Sequence, residues 1–357
     1  MMKSKTVRIF TCGFVGVLCL VSLTSCGVGG SSKSSSANSE SGQSGTTSGT
    51  NALTGMPGVN GPVLFVKVDD TPPAHPQVGL NSADVVYIEQ VEGGLTRLAA
   101  VFSNALPPKI GPVRSARISD IDLMAQYGRA ALAFSGAQTL FLPVLDAANI
   151  EDVGADHEPS SIYSRDTTRV APTNMLVDPK ALLNKSINVE GRKIATAQSV
   201  GWQFGSLPAG GTPITGVSLK WPSSRYGATW SSDQSRWLLS YEGKPDLDSD
   251  GIQLGSPTLV IQEVSITNSI YHDHLGNYTP FSNTVGSGTG YLLRDGHEFS
   301  IMWSRPTPTS PTTWTLANGS QAYFHPGQVW VALTDSQPTF TPVATASTPA
   351  PASTSSK

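Results

Sequence analysis

The chain is organised around one stretch of sequence, Lys109-Ile110-Gly111-Pro112-Val113-Arg114-Ser115-Ala116-Arg117-Ile118-Ser119-Asp120. Its Gly-Pro pair favours a turn, and the apolar residues after it recur at the spacing of a buried helix face: Ile118, Ile121 and Ala125. We therefore predict a helix here, with Arg114 and Arg117 on neighbouring positions of its first turn. Cations are disfavoured at the positive end of a helix dipole, so these two predict an anion opposite them. That anion is either a carboxylate of the protein, which is the commoner arrangement, or a ligand.

Four carboxylates lie at the ends of the apolar strands that precede this stretch. The run at 62–68 predicts a buried strand that ends at Asp69 and Asp70. The runs at 84–91 and 95–102 predict a hairpin around a Gly-Gly turn, with Glu89 and Glu92 close to that turn. Together with three arginines, these carboxylates would form a mixed-charge cleft that binds a polar ligand: Arg97, Arg114 and Arg117.

The remaining patterns predict an α+β fold. A strand at 130–134 and a helix at 137–147 complete a mixed first half, in which strands pair locally. From about residue 217 the pattern is nearly all strand and turn, with β-rich runs at 236–241, 259–264, 290–293 and 329–333. We predict a mixed α/β N-terminal domain at 53–200 and a mostly-β C-terminal domain at 215–335.

Residues 1–26 read as a lipoprotein signal peptide. Three basic residues precede an apolar stretch at 9–23, which is too short for a comfortable membrane span. It ends in Leu23-Thr24-Ser25-Cys26-Gly27, which resembles a bacterial lipobox. The alternative is a conventional secretory peptide, or a poor span, with an incidental cysteine. We predict that Cys26 becomes the lipidated N-terminus, so that diacylglycerol and palmitate hold the protein on the extracytoplasmic face of the cell membrane.

Composition restricts what the mature protein can do. Residues 27–52 are rich in Ser, Gly and Thr and predict a flexible tether, and residues 336–357 predict a disordered tail. All three cysteines lie within residues 1–26, so no thiol remains for a disulfide, a metal site or catalysis. The formal charge is −3, and loss of three signal-peptide cations leaves −6. A mildly acidic chain without basic runs is a poor candidate for binding nucleic acid.

The order of several motifs resembles the YerB-like lipoproteins, a bacterial family defined by a domain of unknown function. The motifs are Leu53-Thr54-Gly55, Val68-Asp69-Asp70, His75-Pro76-Gln77-Val78-Gly79-Leu80, Ala83-Asp84-Val85-Val86-Tyr87, Val91-Glu92-Gly93-Gly94-Leu95-Thr96-Arg97, the stretch at 110–117, Arg165-Asp166, Ala171-Pro172-Thr173-Asn174, and more loosely Gly288-Thr289-Gly290-Tyr291, Met302-Trp303 and Pro326-Gly327-Gln328-Val329-Trp330. The family tends to carry Asn at the position of Asp70 and His at that of Thr173. The resemblance implies a shared fold and an envelope location, supplies no activity, and adds Arg165 and Asn174 to the candidate ligand-binding residues.

Two functional hypotheses follow. The first is an envelope binding or accessory lipoprotein without catalytic activity, whose partner is an envelope protein or a cell-wall ligand. The second is a hydrolase of cell-wall polymer that uses Glu89 and Glu92 as acid and base. Two carboxyl groups facing each other across an open groove would favour the hydrolase, whereas carboxylates neutralised by arginine would favour binding. We predict no cofactor and no metal site, since the one dense histidine pair, in His272-Asp273-His274, is typical of a solvated hairpin tip.

Overall fold

A computed structural model of the protein describes residues 49–344. The strands in this range are β1 Gly49–Thr50, β2 Pro57–Gly58, β3 Leu64–Asp69, β4 Val85–Gln90, β5 Thr96–Phe102, β6 Ala131–Ala133, β7 Glu151–Asp152, β8 Tyr163–Arg165, β9 Met175–Val177, β10 Gln203–Phe204, β11 Thr212–Lys220, β12 Arg225–Ser231, β13 Arg236–Tyr241, β14 Lys244–Pro245, β15 Gly255–Ser256, β16 Thr258–Glu263, β17 Ile266–His272, β18 Tyr278–Ser282, β19 Gly286–Arg294, β20 His297–Arg305, β21 Thr313–Leu316, β22 Tyr323–Phe324, β23 Val329–Thr334 and β24 Thr339–Pro342. The α-helices are α1 Ser119–Ala125, α2 Leu142–Ala147 and α3 Pro179–Asn184, the last continuing into a π-helical segment, Lys185–Val189. This part of the chain is mostly β, in broad agreement with the predicted α+β class.

One large mixed sheet contains strands from both halves of the chain. Its main path runs β14-β13-β12-β11-β20-β19-β16-β23-β4-β5-β3-β6-β7. Strand β23 lies between β16 and β4 and pairs in parallel with both. All six residues of β23 are buried, as expected for a strand with neighbours on both sides and packing on both faces. A late segment of the sequence therefore completes the sheet that the first half begins.

Apolar side chains cover both faces of this sheet. Strands β3 and β5 are buried along their whole length, which explains their nearly continuous apolar runs. On one face, Val66 and Leu98 pack in a cluster that reaches Trp330. On the other, Phe65 and Val101 pack in a cluster that includes Leu123 and Met124 of α1. The second cluster surrounds the candidate site described below.

Both predicted helices of the first half are shorter than expected. Helix α1 begins at Ser119, so Arg114 and Arg117 are not on its first turn. The backbone from 113 to 117 is non-helical instead, because it runs beside β3, where the Arg114 amide donates to the Lys67 carbonyl. Acidic residues occupy the first turn, Asp120 and Asp122, as the helix dipole favours. Helix α2 is confined to Leu142–Ala147, although 137–147 was predicted.

The predicted tether and tail are ordered where the structure describes them. Residues 49–50 form β1, which pairs with β2, and Asn51 is fully buried with its Oδ1 accepting from the Leu53 and Thr54 amides. In the tail, β24 pairs with β11, and Phe340 packs edge-on against Tyr291 with ring centroids 5.0 Å apart. One aromatic residue in a polar segment gives that segment enough buried surface to dock. The predicted signal peptide, Cys26, most of the predicted tether and residues 345–357 of the predicted tail lie outside the described residues.

Between residues 49 and 344, no helix is long and apolar enough to cross a membrane.

Candidate functional site

Three charged side chains form a row across β3, β5 and β4. Arg97 is directly opposite Asp69 on one side and Glu89 on the other. Residues opposite each other in antiparallel strands project from the same face, so the three lie together over the cluster that contains α1. All three are buried, with Asp69 and Glu89 fully so and Arg97 4% exposed. We call Asp69, Arg97 and Glu89 the charged row.

Lys67 joins the charged row to helix α1. It lies two residues before Asp69 on β3 and therefore on the same face. Its ammonium contacts the Glu89 carboxylate and lies 2.8 Å from Asp120 Oδ1. Burial lowers the pKa of Lys67 to about 8, although the charge of Asp120 opposes this shift. Lys67 was not among the residues predicted from the sequence, where its signal is a lysine inside an otherwise apolar strand.

Arg114 and Arg117 both pair with carboxylates of the protein. Arg114 Nε lies 3.0 Å from Asp69 Oδ2. Arg117 donates from Nε and Nη2 to Glu92 Oε2 at 2.9 and 2.7 Å. The arginine side chains remain 24% and 15% exposed, whereas their carboxylate partners are 0% and 10% exposed. This geometry agrees with the commoner of the two predicted arrangements, an internal ion pair.

Arg97, unlike Arg114 and Arg117, forms no ion pair with a carboxylate between residues 49 and 344. Its Nε and Nη1 have no hydrogen-bond partner among the described residues, and neither does Glu89 Oε2. Burial is the main cause that lowers the pKa of Arg97 to about 9, and the nearby positive charge of Arg117 lowers it further. A buried guanidinium without acceptors is costly, because the water that it loses on folding is not replaced. The charged row therefore contains three buried polar atoms that lack a hydrogen-bond partner among the described residues: Arg97 Nε, Arg97 Nη1 and Glu89 Oε2.

A cleft of about 380 Å³ opens beside Arg117. We call it the arginine cleft; its lining includes Glu92, Ser115, Arg117, Gln138, Thr139 and His274. Strands β17 and β18 form a two-stranded hairpin whose tip, at 272–274, covers one side of the cleft. Although burial by itself raises the pKa of Glu92, the charge and hydrogen bonds of Arg117 lower it below its ordinary value. Glu92 is thus held ionised, and Thr279 of β18 donates to its other oxygen.

Asp70 does not belong to the cleft that the sequence predicted. It follows Asp69 directly and so projects from the opposite face of β3. There Tyr226 donates its hydroxyl to Asp70 Oδ1 at 2.7 Å, and His75 Nε2 lies 3.3 Å from the same oxygen. His75 also bonds Asp246, a residue 171 positions away. The predicted single cleft is therefore two sites, separated by the sheet.

Two further predicted residues, Arg165 and Asn174, lie outside the arginine cleft. Arg165 and Asn174 are on or beside the β8–β9 hairpin, where Arg165 Nη1 donates to Asn174 Oδ1 at 2.7 Å. This bond braces the hairpin. His272 and His274 stand at the tip of the β17–β18 hairpin, where Asp273 accepts from the Leu275 and Asn277 amides. Between residues 49 and 344 no group of three or more His, Cys, Asp or Glu side chains is placed to hold a metal ion.

Comparison with known proteins agrees with the motif order. Residues 51–193 match the N-terminal domain, and residues 217–331 the C-terminal domain, of a family described as a protein of unknown function, DUF3048. The chain belongs to this family. It is also 48% identical over 54 residues to a Bacillus subtilis (strain 168) protein described as "Putative lipoprotein YerB". That alignment spans 15% of this chain and 16% of the relative's length.

A solved structure supports the fold independently of this short alignment. The crystal structure of YerB protein from Bacillus subtilis superimposes with a TM-score of 0.69. The superposition covers 81% of this chain and 98% of that one, at 20% sequence identity. At this identity the likeness concerns the fold alone. The chemistry of this chain therefore rests on its own side chains.

Proposed function

We propose that this protein is a lipoprotein of the bacterial envelope that binds a polar, anionic ligand or partner group in the arginine cleft. The observation that carries the binding role is Arg97, a buried guanidinium without acceptors beside Arg117, which lines the cleft. An anionic group that displaced Glu92 or entered between the arginines would supply those acceptors. Arginine suits this role because its planar fork binds carboxylate or phosphate oxygens in pairs.

The arrangement of carboxylates does not favour the hydrolase hypothesis. A general acid needs a raised pKa and access to the substrate. Glu89 is fully buried and held by Lys67, and the pKa of Glu92 is lowered by Arg117 after the opposing effect of burial. Two carboxylates neutralised by cations are what the binding hypothesis expects. We therefore favour binding over hydrolysis.

The proposed anchor is diacylglycerol on Cys26, which would place the folded part on the extracytoplasmic face of the cell membrane. The lipobox-like sequence and a relative described as a lipoprotein support this anchor. We expect radiolabelled palmitate to enter the parent chain in its bacterial host and to be absent from Cys26→Ala. Cys26→Ser is a second substitution that should behave in the same way. Equal labelling of parent and variants would contradict the anchor.

The binding role can be tested in cells without knowing the ligand. A photo-crosslinking amino acid at Gln138, in the arginine cleft, should give adducts, whereas the same residue at Gln234, exposed in the β12–β13 turn, should not. Adding Arg117→Gln should remove the Gln138 adducts while leaving the protein folded. Identical adducts from the two positions, or adducts unaffected by Arg117→Gln, would contradict binding in this cleft.

A further inference from the structure

A second cleft lies beside Asp70, on the side of β3 opposite the charged row. Its volume is about 460 Å³. Its walls are mainly apolar and include Pro72, Pro76, Pro245, Leu247 and the ring of Tyr241, and the charged residues Glu242 and Lys244 also line it. We call it the proline cleft. Residues from both halves of the chain build it, since the Pro72–Ala74 turn meets the segment that follows β13.

A histidine between two carboxylates forms the floor of the proline cleft. His75 Nδ1 lies 2.9 Å from Asp246 Oδ1, and its Nε2 lies 3.3 Å from Asp70 Oδ1. The imidazole stacks on Tyr241, with ring centroids 4.2 Å apart and planes inclined by 15°. Burial alone would lower the pKa of His75, but its bonds to Asp246 and Asp70 raise it to about 10. The ring is thus an imidazolium at neutral pH.

One polar atom of this floor has no partner. Asp70 is well satisfied, because Tyr226, Gln77 and Thr96 all donate to it. By contrast, Asp246 Oδ2 accepts no hydrogen bond from any residue between 49 and 344. Asp246 is only 2% exposed, yet it is part of the lining of the proline cleft. A buried carboxylate oxygen without a donor is costly, so this position calls for a donor from outside the chain.

The charge of the floor decides what kind of donor fits. Two aspartates and one imidazolium leave a net charge of about −1 beneath walls that are mainly apolar, and Glu242 and Lys244 in the lining add one charge of each sign. An anion would be repelled by Asp246, and a purely apolar molecule would leave its oxygen unpaired. A positively charged donor on an apolar body satisfies both features. Such pockets, with apolar walls and a few convergent polar groups, are typical of small-molecule sites.

We propose that the proline cleft binds a small primary amine, with the ammonium group donating to Asp246 Oδ2 and the apolar body packing against Tyr241 and the prolines. This site is separate from the arginine cleft and does not depend on the proposed function. The two sites share β3, since Asp69 and Asp70 are consecutive and face opposite ways. Binding at one can therefore be measured while the other is left intact.

Benzylamine is a suitable probe, because it joins a primary ammonium to an apolar ring. Calorimetric titration of the full-length protein at about pH 8, where carboxylates are ionised, should show saturable binding. Benzyl alcohol has the same shape without the charge and should bind about tenfold more weakly or not at all, and benzoate should not bind. Equal binding of benzylamine and benzyl alcohol, or no binding of benzylamine, would overturn the proposal.

Substitutions locate the binding. Asp246→Asn should weaken benzylamine binding by about tenfold or more, because the amide loses the charge that attracts the ammonium. Since Asp246 also holds His75, Leu247→Lys provides a second test at a rim side chain that is 40% exposed. Its cation should weaken benzylamine binding several-fold, whereas the matched Leu247→Met should bind like the parent. Unchanged affinity in Leu247→Lys would overturn the proposed location even if Asp246→Asn failed to fold.

Discussion

Replacing Lys67 by Met should strongly destabilise the protein. The ammonium is fully buried and contacts two carboxylates, Glu89 and Asp120, that are also buried. Methionine has a similar length but no charge, so it leaves both carboxylates without their cation. Removing one partner of a buried ion pair typically costs about 3–5 kcal/mol, which is a large part of the ordinary stability of a domain. For a folded region of this size we expect a fall in Tm of roughly 6–10 °C.

The structure also predicts which of the two carboxylates is left with fewer hydrogen-bond donors in Lys67→Met. Asp120 keeps a donor, because the Arg117 amide bonds its Oδ2 at 2.7 Å. Glu89 has no such second donor, since its Oε2 already lacks a hydrogen-bond partner among the described residues. Adding Glu89→Gln to Lys67→Met should therefore recover more stability than adding Asp120→Asn, in a comparison of single and double variants.

Urea unfolding followed by tryptophan fluorescence measures these differences directly. The matched control is Lys180→Met on the exposed side of α3, which should change the free energy of unfolding by about 0.5 kcal/mol or less. If the free energy of unfolding of Lys67→Met were within about 1 kcal/mol of the parent's, Lys67 would not be what neutralises the buried carboxylates.

Further predictions concern the other ion pairs. Arg114→Ala should lower the free energy of unfolding by about 2 kcal/mol, a value between those for exposed and buried ion pairs. The reason is that Asp69 is fully buried while Arg114 is 24% exposed. A melting temperature close to that of the parent would contradict this prediction. Arg117→Ala should cost less, about 1 kcal/mol, since Glu92 keeps Thr279 as a donor. For His75, the folded-state pKa of about 10 exceeds the ordinary histidine pKa of 6.5, so its stabilisation is complete below about pH 6.5 and is lost as pH rises towards 10. His75→Gln should therefore remove a fall of roughly 4 kcal/mol from the profile of unfolding free energy between those pH values, and an unchanged profile would show that His75 is not protonated in the fold.

The local pattern of the sequence was sufficient to locate individual strands but not to predict which strands pair with one another. The apolar runs predicted β3, β4 and β5 within one or two residues, because burial on both faces leaves a continuous apolar signal. Nothing local indicated that β23 pairs with β4, since that contact joins residues about 240 positions apart in the sequence. The start of α1 was missed for a related reason, since the backbone after Pro112 bonds to β3 and cannot be helical there.

For the candidate site, strand geometry alone predicts which charged residues of β3 share a face. The alternation of side chains along β3 separates Asp69 from Asp70 and places Lys67 on the face of Asp69. By this rule Asp69 and Asp70 cannot face the same cleft. The partnership of His75 with Asp246 was different, because a contact between residues 171 positions apart has no local sequence signal. Asp246 and Asp248, at alternate positions of the second half, are both buried, and burial of a short polar segment is not visible in the sequence.

The position of β23 has a consequence for the order in which the molecule can form. During synthesis the residues up to about 200 appear first, and they include every strand from β3 to β7. Until residue 334 has been made, one side of β4 lacks the neighbour that it has in the finished protein and exposes free amide and carbonyl groups. Exposed strand edges of this kind pair readily with other chains. The nascent protein is thus open to aggregation for most of its synthesis, and a fragment ending near residue 200 would keep that vulnerability permanently.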